Sequence, residues 1–243
     1  MTKTVISMKW GTRYSVDYAN RLYSMVRRNL RGDLRFLCFT DDPAGLAPEI
    51  EAHPLPPIEL PEPARWQGWR KISLFQHPLA DLSGDVLFLD LDIVITGSLD
   101  EFFDYHPGRF CIIENWTQLG KGIGNTTAYR FVPGENTDIY ERLMADTDRV
   151  LATYRASQQY VSACIPDMVF WPSQWCMSFK YHLVPSFPMN WFVAPRLPRD
   201  ARLIAFTGKP DPDEAAVGHW PAPLHKRIHK HIRPAPWIAA HWR

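Results

Sequence analysis

Asp85 to Thr96 reads DVLFLDLDIVIT. Four apolar residues run into an aspartate, one leucine separates it from a second, and three more apolar residues follow, so the segment has to be core and charged at once. An unbroken run such as VLFL suits a strand buried on both faces of a parallel sheet. Residues i and i+2 of a strand share a face, which predicts Asp90 and Asp92 side by side with Leu91 turned into the core. Two carboxylates a few Å apart repel one another, and burying either one unpaired costs several kcal/mol, so the pair requires a proton or a cation. A divalent metal resolves the conflict. Oxygen donors favour Mg²⁺ or Mn²⁺, and these ions in turn favour phosphate chemistry. The plain alternative has one aspartate capping the turn before Gly97 and the other paired with a lysine.

The segments around this run predict an α/β domain. Thr4 to Met8 and Leu34 to Phe39 read as strands. Between them Tyr14, Tyr18, Leu22, Met25 and Val26 recur at helical spacing up to the stop at Gly32 and Asp33. Strand, helix, strand is a crossover unit of a parallel sheet. A weaker strand is expected near Ile50, a proline-rich surface loop up to Trp66, and a helix with one apolar face over Trp69 to Leu79. A short helix from Ser98, strands over 110–115 and 126–132, and helices over 136–144 and 158–164 follow. Beyond Val169 the pattern is irregular, with Ala201 to Phe206 the clearest strand.

Composition bounds the function. With 243 residues and 46% hydrophobic content the chain can fill a sizeable core. It has no run near the roughly 18 apolar residues of a membrane span, and the opening MTKTVISMKW lacks the apolar stretch of a signal peptide, so a cytoplasmic protein is expected. Cys38, Cys111, Cys164 and Cys176 form no C-x-x-C pair and suggest reduced thiols. A net charge of +1 argues against a nucleic-acid partner. The basic residues nevertheless gather near the end in HKRIHKHIR, His225 to Arg233.

A first strand followed by a loop and a tyrosine, a basic residue upstream of the strand that ends in D-x-D, and the late FTGKP resemble the nucleotide-sugar glycosyltransferases of the GT-A fold. The likeness is to the galactosyltransferase type that includes glycogenin and bacterial lipopolysaccharide transferases. Its most specific stretch runs from Arg70 to Phe103. The resemblance implies a Rossmann-like, mostly parallel sheet flanked by helices with an irregular C-terminal part. It further implies one domain over residues 1–243, with a nucleotide-binding half over about 1–115 and an acceptor side over about 116–243.

It also implies roles. Asp90 and Asp92 would hold Mn²⁺ or Mg²⁺ against the donor diphosphate, where a metal stabilises the leaving nucleotide. Lys71 stands where the family has a donor-contacting arginine, the bland reading being a solvated helix lysine. Tyr14 matches an aromatic near the nucleotide base, though its spacing equally suits the core. Asn125 matches an asparagine on the donor sugar or is a turn residue, and Lys209 matches a diphosphate-binding lysine or is an exposed loop residue.

The sequence departs from the family pattern at three places. Ala205 replaces a metal-binding histidine, for which only His219 or His241 offer themselves. Ser157-Gln158 replaces an Asp-Gln pair beside the reacting sugar, leaving Gln158 as the catalytic candidate. Gly11 stands where a base-reading aspartate is common.

The expected partners are a nucleotide-diphosphate sugar, a UDP-sugar first among them, and a glycan or lipid-linked acceptor. Trp171, Trp175 and Trp191 offer stacking faces for sugars if they are not core. Lys226, Arg227, Lys230 and Arg233 with Trp237 and Trp242 suggest peripheral contact with the inner membrane surface, the alternative being tryptophans packed under the domain. Two rival readings use the same residues. One is a haloacid-dehalogenase-type phosphohydrolase with Asp90 as nucleophile and Asp92 as general acid. The other is a nucleotide-sugar or glycan-binding protein without turnover.

Overall fold

The apolar runs around Val5 and Leu87 lie side by side as parallel neighbours, Thr4 opposite Val86 and Ile6 opposite Phe88. They belong to β1 (Lys3–Lys9) and β4 (Val86–Leu89) of a computed structural model that describes residues 2–243. The other strands are β2 (Leu34–Thr40), β3 (Glu51–Pro54), β5 (Ile93–Ile95), β6 (Cys111–Glu114), β7 (Gly124–Phe131), β8 (Val169–Phe170), β9 (Cys176–Ser178) and β10 (Leu203–Ala205). The helices are α1 (Val16–Asn29), α2 (Asp100–Asp104), α3 (Asp138–Ala145), α4 (Thr147–Thr153), α5 (Ser157–Cys164), α6 (Pro212–Ala216) and α7 (Trp237–His241).

Seven strands form one sheet in the order β3-β2-β1-β4-β7-β6-β8. β7 is antiparallel to β4 and β6, and the remaining pairings are parallel. The alternation of strand side chains divides the core between the two faces. Val5, Cys38, Leu87 and Leu89 face one side with Leu22, Met25 and Val26 of α1. Ile6, Leu37 and Phe88 face the other with Ile72, Ile139 and Tyr160. The expected mostly parallel α/β sheet flanked by helices is therefore present.

The D-x-D run departs from its expected shape. It is two strands, not one: β4 ends at Leu89, and β5 joins a separate three-stranded sheet ordered β5-β10-β9. The backbone N–H of Asp90 donates to the Thr127 carbonyl at 2.8 Å, the last tie to the large sheet, and the Phe206 N–H donates to the Asp92 carbonyl at 2.9 Å, the first tie to the small one. The aspartates thus occupy the bend where the chain changes sheets, so the strand pleat does not set their relation.

The expected helix over Trp69 to Leu79 is a 3₁₀ segment, Gly68–Phe75. Lys71, Ile72, Ser73, Leu74 and Phe75 are buried in succession and only Gly68 and Arg70 keep partial exposure, so this segment runs along the interior and not as a surface helix. The irregular C-terminal part is as expected.

The aromatic expectations there need correction. Trp171 is buried against Phe102, ring centres 4.7 Å apart, and half-buried Trp175 lies 5.4 Å from the same ring. Trp242 is buried between Tyr18 and the Arg21 guanidinium, and the half-buried Trp237 indole donates to the Pro195 carbonyl. Neither is displayed for a membrane interface, because both serve to dock the chain end on α1 and the core. Among the described residues no helix is long and apolar enough to cross a membrane.

Candidate active site

β1 and β4 point their carboxyl ends the same way, and the loop after β1 together with the bend after β4 walls a cavity of about 720 Å³. Ligands of open α/β sheets bind at such ends. Gly11 makes the loop's first turn with φ +60°, and its N–H donates to Asp41 Oδ2 at 2.9 Å, tying the loop to the end of β2. Arg13, Tyr14, Trp66, Lys71, Asp90 and Asp92 all line the cavity.

The carboxylates are held unequally. Lys71 Nζ donates to Asp90 Oδ1 and Oδ2 at 3.0 and 2.9 Å and to the Thr126 carbonyl at 2.9 Å. Asp92 instead accepts from the Tyr14 hydroxyl at 2.9 Å. Burial raises the Asp90 carboxyl above the usual range while the Lys71 ammonium pulls it back. Burial, helped by the Asp90 charge and opposed by the Tyr14 hydrogen bond, pushes Asp92 up to about 7. Burial and the Asp92 charge raise the Tyr14 phenol, so it stays a donor throughout the physiological range. The site therefore contains an Asp90 carboxyl held by Lys71 and, in Asp92, a carboxyl poised near neutral pH to lose its proton.

The donor set suits a hard divalent ion only in part. Ala205 pairs with Ile93, next to Asp92, and offers no ligand. Among the described residues no group of three or more His, Cys, Asp and Glu could hold a metal. His219 is exposed and lines a different cavity, and His241 lies in α7 at the chain end beside Arg28, so neither supplies the third ligand. Two carboxylates facing one cavity nevertheless fit an ion that takes its remaining positions from diphosphate oxygens and water, the usual mode for Mg²⁺.

Gly11 also lines this cavity, whereas Asn125, Gln158 and Lys209 do not. Asn125 is buried in β7, its side chain accepting from the Thr127 N–H at 3.0 Å, one residue from the carbonyl that Lys71 holds. Gln158 is half-buried in α5. Its neighbour Ser157 approaches the cavity wall, since a Cβ on Gly68 would meet Ser157 Oγ at 3.2 Å. Lys209 Nζ is paired with Asp211 Oδ2 at 2.6 Å and Glu214 Oε1 at 2.7 Å. Asp211 reaches the cavity through Arg13, at 3.4 Å.

Arg13 and Trp66 are cavity residues that the sequence reading missed. The signal for Arg13 was available: a lone cation in a Gly-containing loop between strand and helix. Trp66 follows a proline-rich stretch without periodicity, and nothing local marks which way its ring faces.

No protein-family model matches the chain, and no curated protein matches it in sequence. Solved structures do resemble it. The glycosyltransferase GlyE of Streptococcus pneumoniae TIGR4 is 13% identical with a TM-score of 0.58 over 86% of this chain and 56% of that one. The galactosyltransferase LgtC, crystallised with donor and acceptor sugar analogs, is 13% identical with a TM-score of 0.55 over 86% of this chain and 88% of that one. The apo structure of the bifunctional glycosyltransferase WbbM is 10% identical with a TM-score of 0.59 over 87% of this chain. This chain spans 56% of the GlyE structure and 46% of the WbbM structure. At such identities the likeness establishes the fold these proteins share.

Proposed function

We propose that the chain is a metal-dependent glycosyltransferase, a hexosyltransferase of the GT-A type. It would transfer a sugar from a nucleotide-diphosphate donor, a UDP-sugar first among candidates, to a glycan or lipid-linked acceptor. The observation that carries this reading is the convergence of Tyr14, Lys71, Asp90 and Asp92 on one cavity at the carboxyl ends of β1 and β4, in a fold shared with solved glycosyltransferases. The nucleotide would lie over the half spanning about residues 1–115, with the acceptor against about 116–243.

Asp90 and Asp92 would hold Mn²⁺ or Mg²⁺, which supplies Lewis-acid stabilisation of the leaving diphosphate. The chain's own contribution is to prepare that place. Lys71 keeps Asp90 aimed into the cavity and offsets its charge. The Tyr14 hydroxyl orients Asp92 and favours its ionised form. Arg13 at the rim carries a further positive charge toward an incoming diphosphate. Lys209 would add to it after leaving its acidic partners, Asn125 would contact the donor sugar, and Gln158 would lie beside the reacting centre. Neither the phosphohydrolase nor the turnover-free alternative is favoured, since the solved structures that share the fold are glycosyltransferases.

A cytoplasmic location with peripheral contact to an anionic inner-membrane surface belongs to the same proposal. Exposed Leu224 and Ile228, interleaved with Lys226, Arg227 and Lys230, support it. Trp237 and Trp242 contribute nothing to that surface.

The test is binding of UDP and UDP-sugars with and without Mn²⁺, followed by thermal shift. Asp92→Asn should abolish the Mn²⁺-dependent part while the fold is retained. Unchanged Mn²⁺-dependent binding in that variant would remove the site.

A further inference from the structure

A second cavity, of about 350 Å³, lies in the C-terminal segment. Its size falls within the range of small-molecule pockets, about 300–1,000 Å³. Trp191, Trp220, His219, His231, Arg227 and Lys230 line it, and no acidic side chain does. From Ala215 to Arg243 the chain contains no Asp or Glu. Neither Arg227 nor Lys230 forms an ion pair among the described residues. The nearest carboxylate in sequence, Glu214, is occupied by Lys209 and by the Asp211 N–H.

The cavity is built, not a chance gap between loops. The Trp191 indole donates to the Ile228 carbonyl at 2.8 Å, and its ring stacks on His231 with centres 3.7 Å apart. Buried Asn190 donates to the carbonyls of His229 and His231 at 3.0 and 2.8 Å, so the basic segment is pinned from below. Arg227 Nε donates to the Ala222 carbonyl at 3.2 Å, which leaves its two terminal nitrogens free to fork onto an anion. The Lys230 ammonium sits 5.9 Å from the Trp220 ring. The Trp220 indole nitrogen is buried without a hydrogen-bond partner among the described residues, so this wall is not yet tied by its own polar contacts.

We propose that this cavity binds an anionic sugar residue, one bearing a carboxylate or a phosphate. The tryptophan faces pack against the sugar C–H surface, and Arg227 and Lys230 take the negative group. Its place suggests which sugar. Along the chain, the five-residue helix α6 lies between the Lys209 turn, which the transferase reading brings to the donor, and His219 of this cavity. Assigning the anionic residue to the acceptor rests on the transferase reading, whereas binding itself does not. A flat lipid surface fits a concave site less well, and Leu224 and Ile228 lie outside the lining.

The experiment titrates the full chain with glucuronate, glucose 6-phosphate, inorganic phosphate and neutral glucose, following the indole N–H resonances of Trp191 and Trp220, each assigned by a Trp→Phe variant. Saturable shifts are expected in the millimolar range with the two anionic sugars, with weaker binding of phosphate and none of glucose. Which of the two sugars binds tighter identifies the anionic group. Arg227→Gln with Lys230→Gln should weaken binding at least tenfold. Lys226→Gln with Arg233→Gln, which removes the same charge from outside the lining, should leave it unchanged.

Equal losses in the two double variants would reduce the effect to general electrostatic attraction and overturn the site, as would unmoved indole signals. Indole shifts produced by phosphatidylglycerol vesicles and not by the sugars would give the surface to a membrane. UDP binding with Mn²⁺ is measured on the same samples. Glucuronate binding without UDP binding would keep this site and defeat the transferase reading, and the reverse result would do the opposite.

Discussion

Lys71 Nζ bridges both oxygens of Asp90, at 3.0 and 2.9 Å, and is itself fixed by the Thr126 carbonyl of the neighbouring strand β7. The pair is largely removed from water, Lys71 with 10% and Asp90 with 23% of its side chain exposed. Removing one partner leaves the other charge uncompensated. Lys71→Met should therefore destabilise the fold by on the order of 3 kcal/mol, and adding Asp90→Asn should recover much of that loss. Urea unfolding of the two single variants and the double variant measures it. Additive losses would mean that the two side chains are not coupled.

The Asp92 carboxyl, pushed up to about 7 by burial and by the Asp90 charge, predicts a pH dependence. Below about pH 4 the residue is protonated in folded and unfolded chains alike. Between about 4 and 7 the unfolded chain ionises there while the folded chain does not. Stability of the metal-free protein should fall across that window, by at most about 1.4 kcal/mol per pH unit from this group. Asp92→Asn should remove this part of the slope and be the more stable protein at pH 7. Mn²⁺ requires the ionised form, so Mn²⁺-dependent UDP binding should weaken as pH drops through about 7. A variant with an unchanged pH–stability curve would show that Asp92 ionises normally.

Tyr14→Phe removes the donor that favours ionised Asp92. The midpoint of Mn²⁺-dependent UDP binding should move to higher pH, with a stability loss of about 1 kcal/mol for the hydrogen bond. A loss of affinity at every pH with no shift of the midpoint would instead mark Tyr14 as a wall that touches the nucleotide.

What the sequence made legible follows from which signals are local. The β1-α1-β2 unit was readable because Leu22, Met25 and Val26 repeat at helical spacing between two β-rich runs, and the helix buries those same residues. The D-x-D pair was legible as a candidate site because carboxylates after VLFL have no place in a core, and both line the cavity. The break between β4 and β5 was not legible: Leu91 suits a strand interior, and only the competing ties to Thr127 and Phe206 on distant segments force the bend. Gly68 to Phe75 misled for a related reason, its apolar spacing fitting a surface helix while the core packed against it buries nearly all of it. The Lys71–Asp90 pair, 19 residues apart, and the pinning of Lys209 by Asp211 and Glu214 are tertiary facts with no sequence signature.

Gly11 offers a test of the nucleotide end of the cavity. It lies at φ +60°, and a Cβ there would meet the Trp66 ring at 3.3 Å. Gly11→Ala carries backbone strain of roughly 1 kcal/mol and pushes Trp66, while the two aspartates stay where they are. UDP affinity should fall several-fold with the Mn²⁺ requirement retained. Equal affinity in the variant would place the base away from the Trp66 wall.

Lys209 tests the last element of the proposal. Its side chain is 40% exposed, and its partners Asp211 and Glu214, 10% and 17% exposed, keep the α6 cap and the Arg13 contact without it. Leaving these partners for a diphosphate is therefore inexpensive. Lys209→Ala should lower affinity for UDP by several-fold and leave uridine binding unchanged, because only the former presents the charge that the ammonium would meet. Thermal unfolding of the same variant should shift little, since the α6 cap formed by Asp211 and Glu214 does not need the lysine. Equal losses for UDP and uridine, measured by calorimetric titration with Mn²⁺ present, would locate Lys209 outside the diphosphate site and leave Arg13 as the rim cation there.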